Sequence, residues 1–279
     1  AAAARSGLGC TLILGGAEPE RSEGNLLLDR IFGAELVFLS LAPDGLTGAR
    51  LEAEFDRVEA SLRARKRIPY RIPAGGSEPL GVAACAVAFH EMLSQMQAAR
   101  RTPEAVVVSF GTGGTFAGLS LGNIIAGRPA RVLGISCAPP GMPAAVGVAS
   151  TQELIEGGAR TLAAILSSQP DRGTPALGPL GPSELREVLA QIRPGDMEID
   201  YSQAGRAYGA TTPECLEAIR MTARDEGILL DPVYTSKAMA GLVEMARRSE
   251  IGLEGDVVFW HTGGIPGLFP YSAEILRLT

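Results

Sequence analysis

Lysine is nearly missing from this chain: Lys66 and Lys237 are the only two in 279 residues, although lysine and arginine together number 25. A nucleotide P-loop needs G-x-x-x-x-G-K-S/T, and neither lysine stands near a glycine-rich loop, so that reading is excluded. Cysteine is sparse as well. Cys10, Cys85, Cys137 and Cys215 are scattered, with no C-x-x-C pair, which argues against a zinc site and against a small disulfide framework. They read as buried thiols in a reducing compartment. Long apolar runs are lacking: none approaches the ~20 residues of a bilayer span, and no charged segment precedes an apolar core at the start. Neither a membrane nor secretion is expected, and the cytoplasm is the default location. Blocks of like charge are also lacking beyond RARKR around Arg65, and the net charge is -6 with a pI near 5.2. A nucleic-acid backbone is therefore not the expected partner, which leaves a small molecule.

What is present is an ordinary globular composition, 46% apolar and 20% charged, long enough for one large or two modest domains. CTLILGG (10–16) reads as a buried strand, GNLLLDRIFG (24–33) as a helix and ELVFLS (35–40) as a second strand. Leu51, Phe55, Val58 and Leu62 recur at three and four residues, the stripe of an amphipathic helix over 47–65. Extended 68–77, helix 81–96, strand 106–110, helix 115–126 and strand 131–137 follow, then helices near 150–167, 184–192, 213–226 and 236–248 and strands near 196–201 and 256–261. Such alternation predicts an α/β fold with parallel sheets covered by helices on both faces. QPDRGTPALGPLGPS (169–183) reads as a surface loop. The chain's start, AAAARSGLG, reads as the back half of a helix ending at Gly7 or Gly9, with further sequence expected upstream.

VVVSFGTGGTFAG (106–118) carries the chemistry. A buried strand feeding a glycine-rich loop into a helix N-terminus converges unpaired N–H groups and the positive end of the helix dipole on one point, an anion site. A dinucleotide fingerprint is weak here, since Phe116 stands where the third glycine of G-x-G-x-x-G belongs and RVLGISC ends without an acidic residue for a ribose. The phosphate of a cofactor such as pyridoxal phosphate, held by the loop amides and the hydroxyls of Thr112 and Thr115, is a third reading, and a tight turn without a ligand is a fourth.

Five segments decide among these: IPAGGSEPLG (72–81), SFGTGGTFAGL (109–119), AYGATTPECLEAIR (207–220), EGILLDPVYTSKAMAGL (226–242) and FWHTGGIPGLFPY (259–271). In order and approximate spacing, together with GNLLLDRIFGAEL (24–36), they resemble the D-cysteine desulfhydrase and 1-aminocyclopropane-1-carboxylate deaminase family over nearly the whole chain. The resemblance implies a pyridoxal-phosphate enzyme of fold type II, similar to the tryptophan synthase β-chain, acting on a small amino acid and expected as a homodimer. It implies that Gly111, Thr112, Gly113, Gly114 and Thr115 cradle the cofactor phosphate, that Thr235, Thr262 and Gly263 lie against the ring, and that Tyr208 and Tyr234 are the catalytic phenols. The cyclopropane-opening members carry Glu at the position of Thr235 and Leu at that of Thr262, so threonine at both resembles the desulfhydrase side. The expected reaction is therefore β-elimination from D-cysteine to pyruvate, ammonia and sulfide, with deamination of 1-aminocyclopropane-1-carboxylate, or a non-catalytic cofactor- or amino-acid-binding role, as alternatives. His261 and His90 read as structural, and Lys237 as a lysine paired with a carboxylate or a helix end. The family's Gly-Asn-Lys motif, whose lysine bonds the cofactor aldehyde, and its Ser-Asn-His segment are absent from residues 1–279. Both are expected upstream, making residues 1–72 a smaller α/β domain incomplete at its N-terminus and 73–279 the larger, cofactor-binding domain. The boundary is expected near Gly75 and Gly76.

Overall fold

The structure, a computed structural model, describes residues 1–40, 48–140, 150–168, 182–251 and 255–277. It divides into two compact units, Ala1–Ile72 with Ile265–Thr279, and Pro73–Gly264. Among the described residues no helix is long and apolar enough to cross a membrane.

In the first unit a short helix α1 (Ala2–Arg5) precedes strand β1 (Thr11–Gly15), helix α2 (Gly24–Ile31), strand β2 (Glu35–Leu39) and helix α3 (Gly48–Ala64). The two strands pair in parallel, Thr11 opposite Glu35 through Gly15 opposite Leu39, which requires the α2 crossover between them. Gly33, at φ 75, ends α2 in the left-handed conformation that a residue with a Cβ resists. On α3, Leu51 and Val58 of the expected stripe are buried. Arg71 fastens the extended segment 68–72 to α3 through Glu52 (2.7 Å), Asp56 (2.5 Å) and Glu59 (2.7 Å), with its guanidinium 4.9 Å from the Phe55 ring centre. The sequence assigns residues 265–279 to the larger domain. In the structure they join the first unit, because Gly24 at the start of α2 lies against the Pro266 carbonyl and the Pro270 ring.

In the second unit helix α4 (Pro79–Ala98), strand β3 (Pro103–Phe110), helix α5 (Gly114–Ile125) and strand β4 (Arg131–Ser136) are followed by helices α6 (Thr151–Ser168) and α7 (Pro182–Ala190), strand β5 (Glu198–Asp200), helices α8 (Pro213–Glu226) and α9 (Thr235–Arg247) and strand β6 (Asp256–Trp260). The four strands form one parallel sheet ordered β5-β4-β3-β6, separate from the β1-β2 sheet. Strand alternation sorts the core: Val106, Val108 and Val132 pack with Phe89, Phe116 and Leu119, whereas Ala105, Val107, Leu133 and Ile135 pack with Ala238 and Met245 of α9. Both faces are thus covered, which is why β3 reads as an unbroken apolar run. Gly122 lets α5 approach α4, since a Cβ there would stand 2.7 Å from that of Phe89. Of the segment read as a loop, 169–181 lies outside the described residues, and α7 already begins at Pro182. Cys137 and Cys215 are buried as expected of structural thiols, but Cys10 and Cys85 are only half-buried.

Candidate active site

The chain leaves β3 towards β4 on one side, while β6 returns on the other, so the strand order reverses at β3. In open parallel sheets, ligands bind beyond the carboxyl ends of the strands at such a point. The end of β3 carries Ser109, whose hydroxyl lies 3.2 Å from that of Thr262, just past the end of β6.

Beyond Phe110 the chain turns through Gly111, Thr112 and Gly113 into α5. Gly113 is the N-cap at φ 87 and provides no side-chain cap. The first-turn N–H groups of a helix have no partner within it, and here a side chain from another segment meets one of them: Ser77 Oγ accepts from the Gly114 N–H at 3.1 Å and donates to Thr112 Oγ1 at 2.5 Å. A Cβ at Gly114 would come within 2.7 Å of Ser77 Oγ, so glycine is what allows this approach. The hydroxyl of Thr115 bonds the half-buried Cys85 thiol of α4. Backbone amides, small residues and hydroxyls converging on a helix N-terminus whose N-cap residue has no side chain fit a phosphate.

The Tyr234 ring covers Gly111: a Cβ there would lie 3.2 Å from Tyr234 Cε1 and 3.6 Å from Cys137 Sγ. Tyr208 and Tyr234 stand edge to face at 5.9 Å between ring centres, and their hydroxyls are hydrogen-bonded to each other. Burial pushes the Tyr234 phenol far up, and the bond to Tyr208 raises it further. Tyr208 is raised by burial too, although 47% exposed, but the bond from Tyr234 opposes that rise. Both phenols of the pair are thus held in the protonated form, and either hydroxyl can donate to the other. Burial pushes the neighbouring Cys137 thiol up to about 11, keeping it uncharged beside the pair.

Asp231, 3% exposed, builds the start of α9. Its carboxylate accepts from the N–H groups of Val233, Tyr234 and Thr235, each at 2.9 Å, and from the Thr235 hydroxyl at 2.7 Å. Thr235 Oγ1 in turn accepts from the Asp231 N–H at 2.8 Å. The buried Thr235 hydroxyl thus has its proton engaged by Asp231, whereas Thr262 is exposed. Gly263 sits at φ 91, and its N–H bonds His261 Nδ1 at 3.0 Å. His261 Nε2 therefore carries the ring proton and donates to the Leu229 carbonyl at 2.9 Å, a tie between two loops. Among the described residues Lys237 forms no ion pair with a carboxylate. Its fully buried Nζ donates to the carbonyls of Cys137 (3.0 Å) and Ala204 (2.7 Å), which corrects the pairing expected from sequence.

Within this unit, then, Gly111, Tyr208 and Tyr234 lie together, Thr112 to Thr115 form the loop and first helical turn, and Thr262 and Gly263 lie at the end of the adjoining strand. Sequence reasoning missed Ser77, Ser109 and the structural part of Asp231. Only Asp231 had a local signal, an acidic residue just ahead of an apolar helix.

The sequence profile described as pyridoxal-phosphate dependent enzyme matches residues 1–263. A Pyrococcus horikoshii relative is 33% identical over 277 residues, covering 99% of this chain and 72% of that protein. The 1-aminocyclopropane-1-carboxylate deaminase of Burkholderia vietnamiensis is 37% identical over 257 residues, 91% of this chain and 66% of the enzyme. Among solved structures, an ACC deaminase homologue superposes with a TM-score of 0.76 at 33% identity, covering 100% of this chain and 73% of the other. An O-ureido-L-serine synthase variant, at 18% identity and a TM-score of 0.54, shares the fold.

Proposed function

The chain belongs to the family of pyridoxal-phosphate-dependent enzymes, and from that premise we propose that it serves a lyase deaminating a small amino acid, with 1-aminocyclopropane-1-carboxylate as the first substrate to consider. The observation that carries this reading is the paired hydroxyls of Tyr208 and Tyr234 beside the glycine loop. The names of relatives at 33–37% identity favour the cyclopropane substrate over D-cysteine, which reverses the order read from the two threonines alone.

In this reading the amides of Gly111 to Thr115, with Ser77 and Thr112 behind them, hold the cofactor phosphate, and Thr262 and Gly263 border the ring. Thr235 is fully buried with its proton bonded to Asp231, so it stands behind the site and offers the ring nitrogen no proton. When bound, pyridoxal phosphate draws electron density from the substrate α-carbon so that a neighbouring bond can break. Tyr208 Oη and Tyr234 Oη supply what remains, a proton held by burial on one phenol and passed through the other to or from the reacting carbon. Overall, 1-aminocyclopropane-1-carboxylate and water would give 2-oxobutanoate and ammonia. A second reading, D-cysteine and water to pyruvate, sulfide and ammonia, is favoured by threonine rather than Glu and Leu at positions 235 and 262.

The test supplies both amino acids to a cofactor-loaded full-length version and measures the two oxo acids and sulfide. Release of 2-oxobutanoate in preference, falling about 10²- to 10⁴-fold in Tyr208→Phe and Tyr234→Phe, is expected. Preference for D-cysteine would establish the second reading, and full activity in both variants would remove the phenols from the chemistry.

A further inference from the structure

Lys237 is an unusual residue to bury. It sits in the first turn of α9, where the helix dipole disfavours a cation, it is 0% exposed, and among the described residues no carboxylate forms an ion pair with it. Burial lowers its pKa, opposed by the nearby Cys215, Cys137 and Asp231. A methionine would fill the same space without desolvating an ammonium group. What the amine adds is two hydrogen bonds to backbone carbonyls in two different segments: Cys137, directly after β4, and Ala204, in the turn after the three-residue edge strand β5.

That turn leads to Tyr208; Gln203 and Ala204 in it are buried, but among the described residues Lys237 makes its one hydrogen bond to a distant segment. The other hydrogen bonds of residues 201–207 are local, among them Ser202 N–H to Asp200 at 2.7 Å and Ala204 N–H to the Tyr201 carbonyl at 3.1 Å. Gly205, at φ 70 and packed against the Thr212 methyl, follows at once. Lys237 stands three residues after Tyr234 on the same helical turn, so the span from Nζ to the Ala204 carbonyl ties the segment carrying Tyr208 to the one carrying Tyr234.

We propose that Lys237 is the positioning residue of the tyrosine pair: its buried amine clamps the 201–207 turn to the start of α9 and so brings the Tyr208 hydroxyl onto that of Tyr234. The proposal takes from the functional reading only that this pair is the reacting one, and its test uses neither substrate nor cofactor, so the two can fail separately.

The experiment is a double-mutant cycle read by 19F NMR on the chain labelled with 3-fluorotyrosine, whose more acidic phenol brings the titration into range. Charged and titratable groups facing Tyr208 are Tyr234, Cys137 and Asp231, and they are unchanged between the arms except for the substituted residue. With Lys237 in place, Tyr234→Phe removes the hydrogen bond that opposes the rise of Tyr208, so the Tyr208 titration moves up by about one pH unit. In a folded Lys237→Met background the same substitution is expected to move it by less than about a third of that, because the hydroxyls no longer meet. Equal shifts in the two backgrounds overturn the proposal. Should Lys237→Met not fold, Lys237→Gln carries the same cycle; failure of both to fold also overturns it, since Lys237 would then hold the unit rather than the turn.

Discussion

Replacing Asp231 with alanine removes a single carboxylate that organises the start of α9. It accepts three backbone N–H groups at 2.9 Å and one hydroxyl at 2.7 Å while only 3% exposed. A hydrogen bond to a charged acceptor contributes roughly 1.5–3 kcal/mol, but N-cap deletions measured whole lose only about 0.5–2 kcal/mol, because freed N–H groups regain water. Val233 and Tyr234 are half-buried and can recover part of that hydration, whereas Thr235 is fully buried and cannot. One well-capped turn plus one orphaned buried pair gives about 2–4 kcal/mol for Asp231→Ala. Asp231→Asn keeps an acceptor oxygen and should lose about half as much. Urea unfolding followed by Trp260, at the end of β6 in the same unit, reads the change as a lower midpoint at constant slope. Asp231 also raises Tyr208, Tyr234, Cys137 and Lys237, so the asparagine variant should titrate all four lower. A loss below about 1 kcal/mol for alanine would refute the account, for then the carboxylate's desolvation offsets its hydrogen bonds.

Two further outcomes test the site. Ser77→Ala leaves the buried Gly114 N–H without its partner and frees Thr112, so the Kd for pyridoxal phosphate, read by fluorescence, should change by about tenfold, whereas an unchanged Kd would place the phosphate elsewhere. Incubating this chain with pyridoxal phosphate and reducing with borohydride should leave Lys237 unmodified by mass, because its amine is 0% exposed and bonded to two carbonyls; a stoichiometric adduct there would make it the aldehyde-binding lysine.

The architecture was legible because both of its periodicities survive in the sequence. Val106, Val107 and Val108 face alternate helical layers, so burial on both sides erases the polar alternation and leaves an unbroken apolar run. Gly33 and Gly227 stop α2 and α8 where the left-handed backbone requires them, a signal local enough to read. The home of residues 265–279 was not legible: it rests on Gly24 meeting Pro266 and Pro270, some 240 positions away, and no propensity encodes so distant a contact.

The site divides in the same way. The glycine loop announces itself because its turn into α5 is made by backbone, and backbone freedom is written as glycine. Ser77 was invisible because its partners, Thr112 and Gly114, lie 35 and 37 residues on. Lys237 was misread for a different reason. A lysine in sequence suggests a carboxylate, since charges pair with charges, but the acceptors here are the carbonyls of Cys137 and Ala204, and every residue type has a carbonyl. Side-chain identity cannot announce a bond to backbone. The same limit bears on Thr235: the residue type marks a hydroxyl, yet which group takes its proton follows from Asp231 four positions earlier, bent back by the turn at the start of α9. Substrate preference read from that threonine alone therefore treats as neutral a hydroxyl with a carboxylate bonded behind it.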